Sequence, residues 1–278
     1  MKHKIIIFLT FILSLTLVLY PWISNMKYEH QSDNKITNLN KKMSNNKKDF
    51  TKEIEAMNVY NARLASGNVT LTDPFQPITV NDKSYFKIGN IDKSGIMGYI
   101  EIPSISVKLP IYHGSSSKVL EKGVGHLQNT SFPIGGKSTH SVLTGHTGLS
   151  SAKLFTDLVE LKKKDNFLLH VVGKNLAYEV TSIKVVLPDQ LSSLSIKNNQ
   201  DLCTLVTCTP YGVNTHRLLV TGKRVNYNSV IKDKKKMLKK NKPSRWMREY
   251  KKALVIAFAL FCSLILIIYI VNRYKRNI

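Results

Sequence analysis

The chain has 278 residues, with 41 Lys and Arg against 18 Asp and Glu, a formal net charge of +23. Its length suits one globular domain of ordinary size with appendages. Its three cysteines exclude a disulfide framework and fit an exported protein that avoids such bonds. The first element is an apolar run over residues 5–23, nearly unbroken until Pro21 and preceded by Lys2 and Lys4. At about 1.5 Å of rise per residue, about 19 helical residues cover the ~30 Å hydrocarbon core of a bilayer. We therefore expect a transmembrane segment over 1–23. The absence of a small-x-small cleavage site after it favours an uncleaved anchor over a cleaved signal peptide.

Residues 24–49 are rich in Lys, Asn and Ser and read as an exposed polar spacer. From Phe50 the apolar positions are Phe50, Ile54, Met57, Tyr60 and Leu64. Steps of three and four mark an amphipathic helix, with Gly67 as its C-cap residue. Residues 68–90 have no sustained period but hold Asp73-Pro74-Phe75 and Pro77. Their aromatic and aliphatic content predicts an ordered loop.

From Gly98 the pattern changes to short alternating strands separated by Gly, Pro and Asn. Strands are expected over 99–103, 105–111, 141–144, 167–172, 177–186, 202–208 and 217–221, with a short helix over 152–161. Many short strands predict a mainly β fold, a sandwich or a closed barrel, over 98–225. Residues 226–252 follow as a basic juxtamembrane stalk. Across 223–252 there are 13 Lys/Arg against Asp233 and Glu249, a net +11. This block is read as a solvated, partly helical stalk, or as a contact for an anionic bilayer surface or wall polymer. A second span over 253–271 is apolar around its whole circumference. A short basic tail, 272–278, carries Arg273, Lys275 and Arg276.

Lys2 and Lys4 on the cytoplasmic side put the middle of the chain outside the cell and return the tail to the inside. The basic block then lies outside, against the usual charge bias, but the first span normally dominates orientation. A chain tethered in this way is not expected to bind nucleic acid.

The chemistry is concentrated in Thr204-Leu205-Val206-Thr207-Cys208-Thr209-Pro210-Tyr211-Gly212, with Arg217 following. Cys208 ends a β-branched run, and a free thiol outside the cell calls for an explanation that catalysis supplies. Cys203 lies five residues earlier on the same strand. An odd separation points the two thiols to opposite faces, so Cys203 is read as a small core residue. A thiol attacks acyl carbon as thiolate, and an imidazole takes or shares its proton. The same imidazole later protonates the leaving amine. A fixed cation serves the oxyanion. Arg217 lies nine residues after Cys208 across a turn, a spacing that can return it beside the thiol on the next strand. Several histidines compete for the base: His126, His140, His146 and His216. A papain-like site is disfavoured, because there the cysteine precedes the histidine and opens a helix. No C-x-x-C or H-E-x-x-H spacing supports a metal site.

These phrases carry a family resemblance. T-L-V-T-C-T-P-Y-G-V-N-T-H-R-L-L-V resembles the active-site strand and following loop of a class C, pilin-polymerising sortase. G-Y-I-E-I-P-S-I, L-P-I-Y-H-G, G-V-G-H-L, T-H-S-V-L-T-G-H-T-G-L and A-K-L-F-T-D-L extend the match. With the helix containing A-M-N-V-Y-N-A-R-L, it covers about residues 50–225. The resemblance implies a closed eight-stranded β-barrel with short helices. An N-terminal helix and lid region (50–97) would precede it, and transmembrane helices would flank the whole. It selects His146, in Thr-Gly-His-Thr-Gly-Leu, as the base beside Cys208 and Arg217.

The resemblance also implies that Asp73, Pro74 and Phe75 form a lid, with the acid on the arginine and the ring on the cysteine–histidine pair. It further implies cleavage of an L-P-x-T-G-like sorting signal between Thr and Gly, through a Cys208 thioester. Transfer to a pilin lysine amine would follow, at the outer membrane face of a Gram-positive type cell. No cofactor is implied, and no acidic cluster calls for the calcium that other sortase classes use. Thr147, Cys203 and Thr221 depart from the usual pattern without removing a catalytic group. Two alternatives remain: a sortase that anchors proteins to the cell-wall precursor, and a non-catalytic anchored binding module.

Overall fold

The computed structural model describes all residues except 1, 46–49, 68–70, 77–83, 92, 150, 239–243 and 277–278. Parts of the expected spacer, the 68–90 loop with its Pro77, the basic stalk and the C-terminal tail thus lie outside the described residues. The chain divides into two compact units, Pro21–Asn241 and Met1–Tyr20 with Lys242–Ile278.

In the larger unit, eight strands close into a barrel. They are β1 (Ile96–Ile102), β2 (Val107–His113), β3 (Val124–His126), β4 (Thr139–Thr144), β5 (Asn166–Val171), β6 (Lys174–Val186), β7 (Asp201–Thr209) and β8 (His216–Val225). The order around the barrel is β1-β2-β3-β4-β7-β8-β6-β5. The pairs β2/β3 and β4/β7 are parallel, and the other neighbours are antiparallel. Of the two β architectures expected from the strand pattern, the barrel is the one formed.

The interior is filled by Ile100, Ile102, Leu109, Ile111, Leu143, Phe167, Leu169, Cys203, Leu205 and Val220 among others. A smaller apolar patch lies against the opposite face of β4, β7 and β8. It contains Leu127, Val142, Leu191, Leu194, Val206 and Leu219, with Leu71 and Phe75 packed on it. β7 is thus covered on both faces, which is why it is buried continuously from Leu202 to Cys208 and does not alternate.

The helix expected from Phe50 is present as Thr51–Ser66, with Gly67 at its C-cap. It buries Met57, Tyr60, Asn61 and Leu64. Asn61 grips the Phe132 backbone from both sides, donating to its carbonyl at 3.2 Å and accepting its N–H at 2.7 Å. A side-chain amide that satisfies two buried backbone groups fixes the helix in register on the barrel.

Three expectations change. Residues 24–45 are not an exposed spacer: they belong to a helix, Lys2–Asn45, whose Asn25, Ser32, Ile36 and Leu39 are buried. The helix expected over 152–161 is reduced to a 3-10 turn, Thr156–Glu160. Leu154, at φ +42, breaks any regular helix before it. The stalk is not wholly solvated: its helix, Tyr227–Leu238, buries Val230 against Leu168 and Ala177.

The smaller unit pairs the start of the first helix with the helix Arg245–Arg276. Phe11 and Phe261 approach to 5.3 Å between ring centroids, and the Tyr250 hydroxyl donates to the Val18 carbonyl at 2.6 Å. Both helices are long and apolar enough to cross a membrane, and Trp246–Val271 has a mean hydropathy of 3.1. Their large apolar side chains face outward, as lipid-facing helices require.

Candidate active site

Cys208 lies near the end of β7, directly opposite Arg217 at the start of β8. Opposed residues on antiparallel strands have Cβ atoms about 4.5–5.5 Å apart, so hairpin register alone brings cation and thiol together. The connecting turn is closed by the Val213 and Asn214 N–H groups, which donate to the Pro210 carbonyl at 3.1 and 2.9 Å. Gly212 and Asn214 take the positive φ values of +77 and +61 that the turn needs.

His146 follows the end of β4, which runs parallel to β7. Their pairing runs to Thr144↔Val206, two residues before His146 on one strand and Cys208 on the other. Two bonds lock this end of the strand: Gly145 N–H donates to the Val206 carbonyl at 3.1 Å, and the Thr207 hydroxyl donates to the Gly145 carbonyl at 2.7 Å. Gly145 has no room for a side chain, since a Cβ there would meet the Phe155 ring at 2.8 Å.

Asp73, Pro74 and Phe75 close over this pair. Asp73 accepts a two-pronged ion pair from Arg217, Nε to Oδ1 at 2.9 Å and Nη2 to Oδ2 at 2.7 Å. Each side chain is only 7% exposed. The remaining Arg217 nitrogen, Nη1, donates to the Asn214 and His216 carbonyls at 3.0 and 3.1 Å. The Phe75 ring lies 5.1 Å from the guanidinium carbon and 5.7 Å from the centroid of the His146 ring. Pro74 is buried. Arg217 thus faces Cys208 across the hairpin and holds Asp73, and the Phe75 ring lies against both Arg217 and His146.

Burial sets the resting protonation. It raises the Cys208 thiol above its ordinary range; the Arg217 charge opposes this and the Asp73 carboxylate adds to it. Burial also lowers the His146 pKa, with Glu121 pulling the other way. Thiol and imidazole are thus both driven toward their neutral forms beneath the closed segment.

The other histidines are fixed elsewhere. His126 is fully buried. Its Nε2 donates to the Ser131 carbonyl at 2.9 Å, leaving Nδ1 to accept the Tyr85 hydroxyl at 2.8 Å. Burial holds its pKa down at about 3. His140 Nδ1 donates to the Ser195 carbonyl at 3.0 Å, and its Nε2 lies 2.7 Å from the Thr204 hydroxyl. His216 contacts Thr215 at 2.9 Å on the exposed turn. Glu121 and the two turn carbonyls that hold Arg217 carried no signal in the sequence, because their role depends on packing across separate elements.

A model of the sortase domain matches residues 100–225. Sortase D of Bacillus subtilis is 32% identical over 164 residues, covering 58% of this chain and 76% of that protein. The chain belongs to the sortase family. Sortases are cysteine transpeptidases, and so is this protein. Its barrel superposes on sortase C-1 of Actinomyces oris with a TM-score of 0.61 and 50% identity, covering 64% of this chain and 99% of that one. Sortase C of Clostridium perfringens, solved with the C-terminal cell wall sorting motif, gives a TM-score of 0.61 and 45% identity over 70% of this sortase and 100% of that chain. Close structural matches to class C sortases thus come from several species.

Proposed function

We propose that this sortase is a pilin-polymerising, class C enzyme in which Cys208 is the nucleophile, His146 the general acid–base and Arg217 the oxyanion donor. The observation that carries this is the convergence of the three groups beneath a segment whose Asp73 occupies the arginine fork. The likeness to a sortase C solved with a sorting motif, and to sortase C1 of a pilus island of group B streptococcus, supports the substrate class.

The Cys208 thiolate adds to the Thr carbonyl of an L-P-x-T-G-like signal while His146 carries the proton. The Thr–Gly bond breaks, and His146 gives its proton to the departing glycine amine. A lysine amine of the next pilin then attacks the thioester. It loses a proton to His146 and releases Cys208 as an isopeptide bond forms. The lid must move first, because Nε and Nη2 of Arg217 are committed to Asp73. Nη1 keeps the guanidinium fixed on the turn carbonyls, so lid opening presents two donors already aimed.

The two apolar helices would span the membrane, with Lys2, Lys4, Arg273, Lys275 and Arg276 in the cytoplasm and the barrel on the outer face of a Gram-positive type envelope. The test is intact mass after incubation with an L-P-x-T-G-type peptide. Wild-type protein should gain an acyl adduct on Cys208 that Cys208→Ala lacks. A pilin lysine should then release the adduct faster than a wall-peptide amine. Preference for the wall amine would instead identify an anchoring sortase.

A further inference from the structure

The loop that returns from His146 to the barrel is held by the N-terminal helix. The His146 carbonyl accepts the Phe155 N–H at 3.0 Å, and Gly148 N–H donates to the Thr156 hydroxyl at 3.1 Å. The loop is therefore a closed unit, and movement at residues 153–156 reaches His146 through two bonds. Its far end is anchored by Lys153. That side chain is 9% exposed and pairs at 3.0 Å with Asp157, whose side chain is wholly buried. Its Nζ also donates to the Ile105 carbonyl at 2.8 Å.

The Lys153 backbone N–H donates to the Asn25 side-chain oxygen at 2.8 Å. Asn25 is buried and is itself oriented by a 3.0 Å bond from its amide nitrogen to Glu29. One residue away, the Ser24 hydroxyl donates to the Ser151 carbonyl at 3.1 Å. A buried side-chain amide aimed at one backbone N–H, 128 residues away in sequence, specifies loop position more than helix docking. The rest of the docked face has its own contacts: Tyr28 to the Lys122 carbonyl and Lys108 to Asp33, both at 3.0 Å.

We propose that Asn25 is a positioning residue for His146, setting the imidazole against Cys208 by fixing the loop at Lys153. The inference rests on the reading of His146 as general acid–base. Misplacing a catalytic group by about 1 Å costs up to about 100-fold in rate, so partial release of this loop should cost about tenfold.

The experiment uses the full-length chain in detergent with an L-P-x-T-G-type peptide, measuring kcat, KM and thermal stability. Asn25→Ala should lose about tenfold in kcat with KM within about twofold, because substrate contacts are untouched. Asn25→Asp combined with Glu29→Gln keeps an acceptor for the Lys153 N–H and reverses donor and acceptor in the pair, and should restore most of kcat. Tyr28→Phe, which removes a docking bond to a carbonyl outside the loop, should leave kcat unchanged. Wild-type kcat in Asn25→Ala, with His146→Ala inactive, overturns this inference alone. An active His146→Ala overturns the reading of the site beneath it. Equal losses in Asn25→Ala and Tyr28→Phe would mean general docking and also overturn it. If Asn25→Ala does not fold, Ser24→Ala carries the test, with a smaller loss expected and unchanged kcat contradicting the proposal.

Discussion

The two faces of β7 carry the same chemical group into different environments. Cys203 points into the barrel core with Leu205 and is fully buried. Burial drives its thiol pKa well up, with Asp201 adding to the effect. Cys208 points to the opposite face, where burial acts in the same direction but the Arg217 charge opposes it. The histidines repeat the contrast. His126 and His140 spend their ring nitrogens on fixed partners, whereas His146 faces a lid ring and the strand end that bears Cys208. On the proposed reading, a thiol or an imidazole becomes reactive here through a neighbouring charge and a cover that can leave, and residue type alone decides neither.

Substitutions can break this comparison at either face. The largest effect is expected from Cys208→Ala, which should lower the transpeptidation rate by about 10⁴-fold or more. Cys203→Ala should keep the rate within about twofold and lose about 1 kcal/mol of stability, measured by denaturant unfolding. Next comes Arg217→Ala, with a loss of about 10²–10³ in kcat from the missing oxyanion donors. It should also raise the apparent pKa of Cys208 labelling, because the opposing cation is gone while the lid carboxylate stays.

A smaller effect sharpens the histidine half. His126 is neutral in the folded state down to about pH 3. An unfolded chain protonates it near pH 6.5. The unfolded state therefore binds more protons in that window, and stability falls as the pH drops from about 6.5 toward 3. The slope from this residue approaches 1.4 kcal/mol per pH unit, to order of magnitude. His126→Phe should flatten the acid side of the stability curve and leave the pH dependence of turnover unchanged. His146→Ala should abolish turnover at every pH and keep the His126 slope.

Much of this contrast was legible in the chain. The odd separation of Cys203 and Cys208 places them on opposite faces of any strand. The nine-residue step to Arg217 suits a hairpin return, which the Cys208↔Arg217 pairing realises. Choosing His146 needed family phrases, because His113, His126, His140, His146, His170 and His216 all lie within two residues of a strand end. β3 was missed: it is three residues long, with glycine at its centre. The docked face of the first helix was missed for a different reason. Its buried stripe includes Asn25 and Ser32 with Ile36 and Leu39, so polar residues interrupt the apolar period. Asn25 bonds to the Lys153 backbone and to Glu29, and hydropathy does not reveal such a role.

The most direct test of the account measures alkylation rates of individual cysteines against pH, by peptide mapping of wild type and of the Asp73→Ala, Phe75→Ala double variant. The account predicts that Cys208 labels in wild type with an apparent pKa above that of an ordinary thiol. In the double variant it should label faster and with a lower pKa, because both the lid charge and the desolvation are removed. Cys203 should stay unlabelled in both. Equal labelling of Cys203, or a Cys208 profile indifferent to the lid, would contradict it.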